Sequence, residues 1–375
     1  MATPMYSPES HDCRTAVVDQ AILLDQIPRQ RDGGFLDGDT TQLPFDLQVT
    51  DWQDLSSRFS RGVGLIETSL VTVSDNHERF RAPSRFILRK VLPETQQFAT
   101  SVDMMPPLGT RVNGYNTDIA RQIAKQGAHV RIVGTNQTRG RSMLHDTQAN
   151  LEILKADDER SSFGGSCCAP NQSIDLGYSM GAMKSFAKLV LAPMYGREVL
   201  LTKAIDPCVA QATGYGDIIS REMAAYFLAD AALIPKNMIR NARDTGVLKT
   251  MRRASHWSET VGFSPDFLGN TYDKWRTILT GEAGTFLPAA PIDSAVVMHS
   301  FNGSKMNDRD TFESQMFNFP NARFVHEDGR HLSAACATAI ANLALDIALS
   351  LDLIESGASK YDIVNGSVRP LLGKR

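Results

Sequence analysis

The sequence has no block of like charge. Lys and Arg are scattered, and 39 basic against 42 acidic residues leave a net charge of −3 at pH 7. That balance gives no reason to expect nucleic acid or an acidic membrane surface as a partner. Cysteine is scarce: Cys13, Cys167, Cys168, Cys208 and Cys336 include no CxxC pair, so metal-ligand spacing of that kind is missing. The count is odd, and a chain of 375 residues does not need disulfide staples, so all five read as thiols in a reducing compartment. No G-x-G-x-x-G fingerprint follows an early strand, and TRGRS (138–142) lacks the Lys-Ser/Thr of a phosphate loop. MATPMYSPESHDCR has no basic start followed by an apolar core, which is not the pattern of a secretory signal. The most apolar long stretch, 332–349, includes Thr338, Asn342 and Asp346, which a bilayer span would not carry. The expectation is a cytoplasmic protein with no integral membrane segment.

What is present is ordinary globular composition, 42% hydrophobic and 22% charged, enough for one large α/β domain. Residues 1–60 mix polar clusters with short apolar pieces and read as an extension, partly disordered or draped over the core. From residue 61 the rhythm changes. GLIETSLVTVS and SRFILRKVL read as strands, QFATSVDMM as a third, and AHVRIVG, SIDLGYS and EVLLTKAI as three more. Between them lie a helix capped by Asn116 or Thr117 and the helical SMLHDTQANLEILKADD and MGAMKSFAKLVLA. Strands alternating with helices predict a mostly parallel sheet covered on both faces. The alternation stops after residue 208. Residues 209–290 are helical in pattern and too long for a connecting loop, so they read as a helical cap inserted between late strands. The second part of the core, 291–375, brings AVVMHS, NARFVHEDGRH and a last helix from near Leu332. On that helix Thr338, Asn342, Asp346 and Ser350 recur every four residues, a polar stripe on an apolar rod.

In SIDLGYSMGAMKSF (173–186), Ser179 stands between Gly177 and Gly181 where a strand turns into a helix. Taken alone, the pentapeptide also fits a turn whose serine caps the helix. With a strand before and a helix after, it fits a nucleophile elbow, where a strained residue needs small neighbours and the helix N-terminus favours an anionic intermediate. Met180 would then offer a backbone N–H to that intermediate. A serine hydroxyl needs a base. Of eight histidines, His331 lies just after a late strand and just before the last helix; the alternative for it is a surface loop residue.

These features together resemble the α/β-hydrolase fold over roughly residues 63–355. The carriers are GYSMG, the loop MPPLGT after the third strand, and HEDGRH, in that order. The resemblance implies that Leu108, in Pro106-Pro107-Leu108-Gly109, supplies a second oxyanion N–H. It also implies an acid for His331. The family usually places this just beyond the strand before the histidine strand, where this chain reads Asn302, Gly303 and Ser304, with Asp308 and then Asp310 further on. Some lipases of the fold take it from the preceding strand, which here ends at Asp206. Asp206 and Asp308 stand equal, with Asp310 behind them.

The function implied is a serine hydrolase that cleaves an ester or related acyl bond of a small-molecule substrate through an acyl-enzyme on Ser179, with no metal or organic cofactor. Aromatic residues of the cap, among them Tyr226, Phe227, Trp257 and Trp275, suit an apolar acyl pocket. Acyl transfer to another acceptor through the same serine, and a catalytically silent binding or scaffold protein, are the alternatives.

Overall fold

A computed structural model describes residues 46–75, 83–106, 112, 114–135, 143–162, 171–207, 293–304 and 320–373. The proposed cap, Leu108, Asp308 and Asp310 lie outside the described residues, as do all cysteines but Cys336, a buried free thiol.

Nine strands form one sheet: β1 (Leu47–Ser60), β2 (Gly64–Asp75), β3 (Ser84–Pro93), β4 (Ser101–Met105), β5 (Val130–Thr135), β6 (Gln172–Tyr178), β7 (Glu198–Ile205), β8 (Val296–Phe301) and β9 (Ala322–Glu327). Their order is β1-β2-β3-β5-β4-β6-β7-β8-β9. The pairings from β1 through β3 to β5 are antiparallel; from β5 across to β9 every pairing is parallel. The sheet is therefore mostly parallel, as expected, with an antiparallel margin. Five helices are described: α1 (Gly114–Ala124), α2 (Met143–Ser162), α3 (Met180–Leu191), α4 (Ala337–Glu355) and α5 (Lys360–Gly366).

One reading is corrected. Residues 47–60 are not part of a draped extension but form the 14-residue edge strand β1. Its sequence, LQVTDWQDLSSRFS, hides the strand because few positions are buried, and two register shifts break the two-residue period. Two boundaries also move. The third strand shrinks to five residues, and α1 begins at Gly114, with Asn116 and Thr117 buried inside it rather than capping it. Thr117 instead accepts a hydrogen bond from Arg89 of β3 at 2.7 Å.

Alternation along the parallel strands sorts the core into two layers. Ile132 of β5 and Ile174, Leu176 and Tyr178 of β6 join Ile119 and Ile123 of α1 and Leu343 and Ile347 of α4 in one cluster. On the opposite face Val133 of β5 packs with Phe86, Leu88 and, from α2, Ile153 and Leu154. The polar stripe of α4 runs from solvent into the core: Thr338 is exposed and Asn342 half-buried, but the last two positions are not solvated. Asp346 is buried and ion-paired with Lys203 of β7, and Ser350 shares a hydrogen bond with Ser367. Lys203 also donates to the Ser367 carbonyl, which ties the segment after α5 under the sheet.

The face covered by α3 carries charge. Asp103 of β4 and Asp175 of β6 both accept from Lys188 of α3, at 2.7 and 2.5 Å. Arg131 of β5 donates to Asp103 at 2.7 Å, and Arg131 and Arg197 both reach Asp158 of α2. Three carboxylates thus meet three cations beneath α3. Burial pushes the Asp103 carboxyl up, but Arg131, Lys188 and Arg197 together hold it well below the carboxylate range. Asp175, with burial dominant and Lys188 its main cation, is raised to about 6. One turn nearer the start of α3, Lys184 pairs with Asp146 of α2.

Candidate active site

The strand β6 ends at Tyr178 and α3 begins at Met180, so the change of direction falls on Ser179 alone. Its backbone sits at φ 59° and ψ −123°, a conformation L residues avoid. The two glycines are required by contact. A Cβ on Gly177 would stand 2.4 Å from the Gly181 carbonyl, and one on Gly181 would stand 2.2 Å from the carbonyl of Met105 at the end of β4. The Ser179 backbone N–H is held by the Ile205 carbonyl of β7 at 2.8 Å. The side chain does not cap α3. That removes the helix-cap reading of the pentapeptide.

The hydroxyl turns instead to His331. Ser179 Oγ lies 3.0 Å from His331 Nε2, although 152 positions separate them in the chain. His331 follows β9 and opens a short 3₁₀ turn, His331–Ala335, that leads into α4. On the far side of the ring, Nδ1 lies 2.6 Å from Asp206 Oδ2. Asp206 is the first residue after β7, its N–H bonded to the His299 carbonyl of β8 at 2.7 Å. It too has a positive φ, 42°. Ser179, Asp206 and His331 are all buried. Of the two carboxylates that stood equal, the structure brings Asp206 to the ring. Met180 is the first residue of α3, where a helix leaves its backbone N–H groups without intrahelical partners.

Two side chains of this site escaped the sequence reading. Tyr178 donates its phenol hydrogen to the His331 carbonyl at 2.5 Å, and its ring stacks on the imidazole with centroids 4.9 Å apart. It thus fixes the backbone and the ring plane of His331 from within the elbow itself. The tyrosine was visible in GYSMG, but nothing local shows that its ring faces a loop 153 positions away. Tyr178→Phe keeps the ring and strands a buried carbonyl, so urea unfolding should show a loss of about 1–3 kcal/mol. The second is Ser304, whose hydroxyl donates to Asp206 Oδ2 at 2.5 Å.

No protein-family model matches the chain, and no curated protein matches it in sequence. Solved structures do match it. A soluble variant of monoglyceride lipase from Saccharomyces cerevisiae, solved with a substrate analog, superposes with a TM-score of 0.50 at 12% identity, over 83% of this chain and 98% of that one. A structure from a study of two Rhizomucor miehei esterases gives the same TM-score, 0.50, at 11% identity, over 93% of this chain and 92% of that one. This is an α/β-hydrolase fold. The resemblance drawn from GYSMG and HEDGRH therefore holds for the architecture. In the strand order of this α/β-hydrolase fold, Ser179 follows β6, while Asp206 and His331 follow strands to one side of it, the adjacent β7 and the edge strand β9. Parallel strands deliver all three to the carboxyl edge of the sheet, where such sheets bind their ligands.

Proposed function

We propose that the protein is a serine hydrolase that cleaves an ester or related acyl bond, with Ser179 as nucleophile, His331 as base and Asp206 as acid. The observation that carries this reading is the continuous contact from Ser179 Oγ to His331 Nε2 at 3.0 Å and from His331 Nδ1 to Asp206 at 2.6 Å. A scaffold protein has no need of a serine held at φ 59° with its hydroxyl against an imidazole. In the reaction, Oγ attacks the acyl carbon as its proton passes to Nε2, and the carbonyl oxygen takes the negative charge. The Met180 N–H and the positive end of α3 stabilise that oxyanion. The carbon–oxygen bond to the leaving alcohol then breaks, and the proton on Nε2 goes with it. Water attacks the acyl-serine, gives its proton to Nε2, and Ser179 regains it as the acid leaves. Asp206 stays ionised and fixes the ring with its proton on Nδ1. The small-molecule substrate carries the acyl group, and the esterase and lipase names of the two structural neighbours are in keeping with that class.

The test is covalent labelling. A fluorophosphonate probe is expected to add one adduct per chain, mapped by mass spectrometry to Ser179 and absent from Ser179→Ala. An intact, folded chain that takes up no probe at high concentration would overturn the proposal. So would an adduct that persists in the alanine variant.

A further inference from the structure

The turn after β8 is where a carboxylate was expected, and it holds none; it carries Ser304. That turn is clamped to the loop that bears His331. The Asn302 N–H bonds the Glu327 carbonyl at 2.9 Å, the Gly303 N–H bonds the Gly329 carbonyl at 2.8 Å, and Asn302 Nδ2 bonds Asp328 at 3.0 Å. Gly303 has no room for a side chain, since a Cβ there would lie 2.7 Å from the Gly329 oxygen. The Ser304 N–H closes the turn onto the Phe301 carbonyl at 2.9 Å. Ser304 therefore moves with the histidine loop. Its hydroxyl reaches across to the β7 turn and donates to the same oxygen, Asp206 Oδ2, that faces His331 Nδ1.

We propose that Ser304 is a positioning residue, which acts through Asp206 to hold the carboxylate in line with His331. This rests on the serine-hydrolase reading above. The backbone of Asp206 is fixed by its N–H bond to His299, but that bond leaves the side-chain torsions open. Ser304 and His331 close them from two sides. A carboxylate held by both presents one oxygen to Nδ1, and the ring keeps the tautomer in which Nε2 can accept a proton. Position 304 thus serves an acid that lies on the neighbouring turn.

A double-mutant cycle tests this, read as the rate of fluorophosphonate labelling and as hydrolysis of p-nitrophenyl butyrate by the full chain. Ser304→Ala should lower kcat about tenfold with KM little changed, the loss expected of one hydrogen bond to a charged group. Ser304→Thr, which keeps the hydroxyl, should recover most of that rate. In an Asp206→Ala background the same Ser304→Ala change should slow labelling less than about twofold, because the carboxylate through which the hydroxyl acts on His331 is gone. An equal loss in both backgrounds would make Ser304 a packing residue and overturn the proposal. So would an unchanged kcat in Ser304→Ala alone. A parent chain that neither labels nor hydrolyses the ester is a separate result: it removes the hydrolase reading and the role of Ser304 with it.

Discussion

Asp206→Asn is expected to lower turnover of an activated ester by about 10⁴-fold with KM changed little. The reason is a tautomer. Asp206 Oδ2 faces His331 Nδ1 at 2.6 Å, and a carboxylate there can only accept, so the ring proton is drawn to Nδ1 and Nε2 is left with a lone pair toward Ser179. An asparagine can turn its amide N–H to Nδ1. The proton then sits on Nε2, which can no longer take one from the serine hydroxyl. Geometry and binding survive, and the chemical step does not. Asp308→Asn serves as the comparison: because the Nδ1 side of the ring is already occupied, it should retain kcat within about threefold. A collapse of activity in Asp308→Asn with little change in Asp206→Asn would reverse the assignment.

Lys188→Met should cost about 3–5 kcal/mol of stability, because it removes one partner of a buried ionic group and leaves carboxylates facing a thioether. Asp175 bears most of the effect. With Lys188 present, burial already raises this carboxyl to about 6. Without Lys188 the folded value rises further, while the unfolded chain keeps the ordinary value of 3.8. Across that interval the folded state binds a proton that the unfolded state has released, so stability falls as pH rises. The variant should therefore lose more at pH 8 than at pH 5. Urea unfolding at both values measures this, and an equal loss at the two would show that lost packing, not charge, is the cause.

Different parts of this molecule were legible to different degrees, for local physical reasons. The elbow could be read because its requirement is local: two glycines four positions apart, where a helix closes on a strand with no space for a Cβ. The inner parallel strands β4, β6 and β8 could be read because nearly every residue in them is buried, as in SIDLGY of β6. β1 could not, since an edge strand with both faces largely wet has no hydrophobic period. The acid remained undecided because Asp206 and Asp308 both follow strands, and the sequence does not say which turn closes on His331. What separates them lies across the sheet: Asn302 and Gly303 bond to the histidine loop and leave a serine, not a carboxylate, at the end of the turn. The ion pairs under α3 were hidden for a related reason. Lysines at 184 and 188 of a helix look like a solvated stripe until Asp103, Asp146 and Asp175 are seen opposite them.

Ser179 and Asp206 share one trait beyond proximity: each adopts a positive φ that glycine would occupy without resistance. Such conformations cost on the order of 1–3 kcal/mol apiece in other residues. Glycine at either position would relieve that cost and at the same time remove a side chain from the run of contacts Ser179–His331–Asp206.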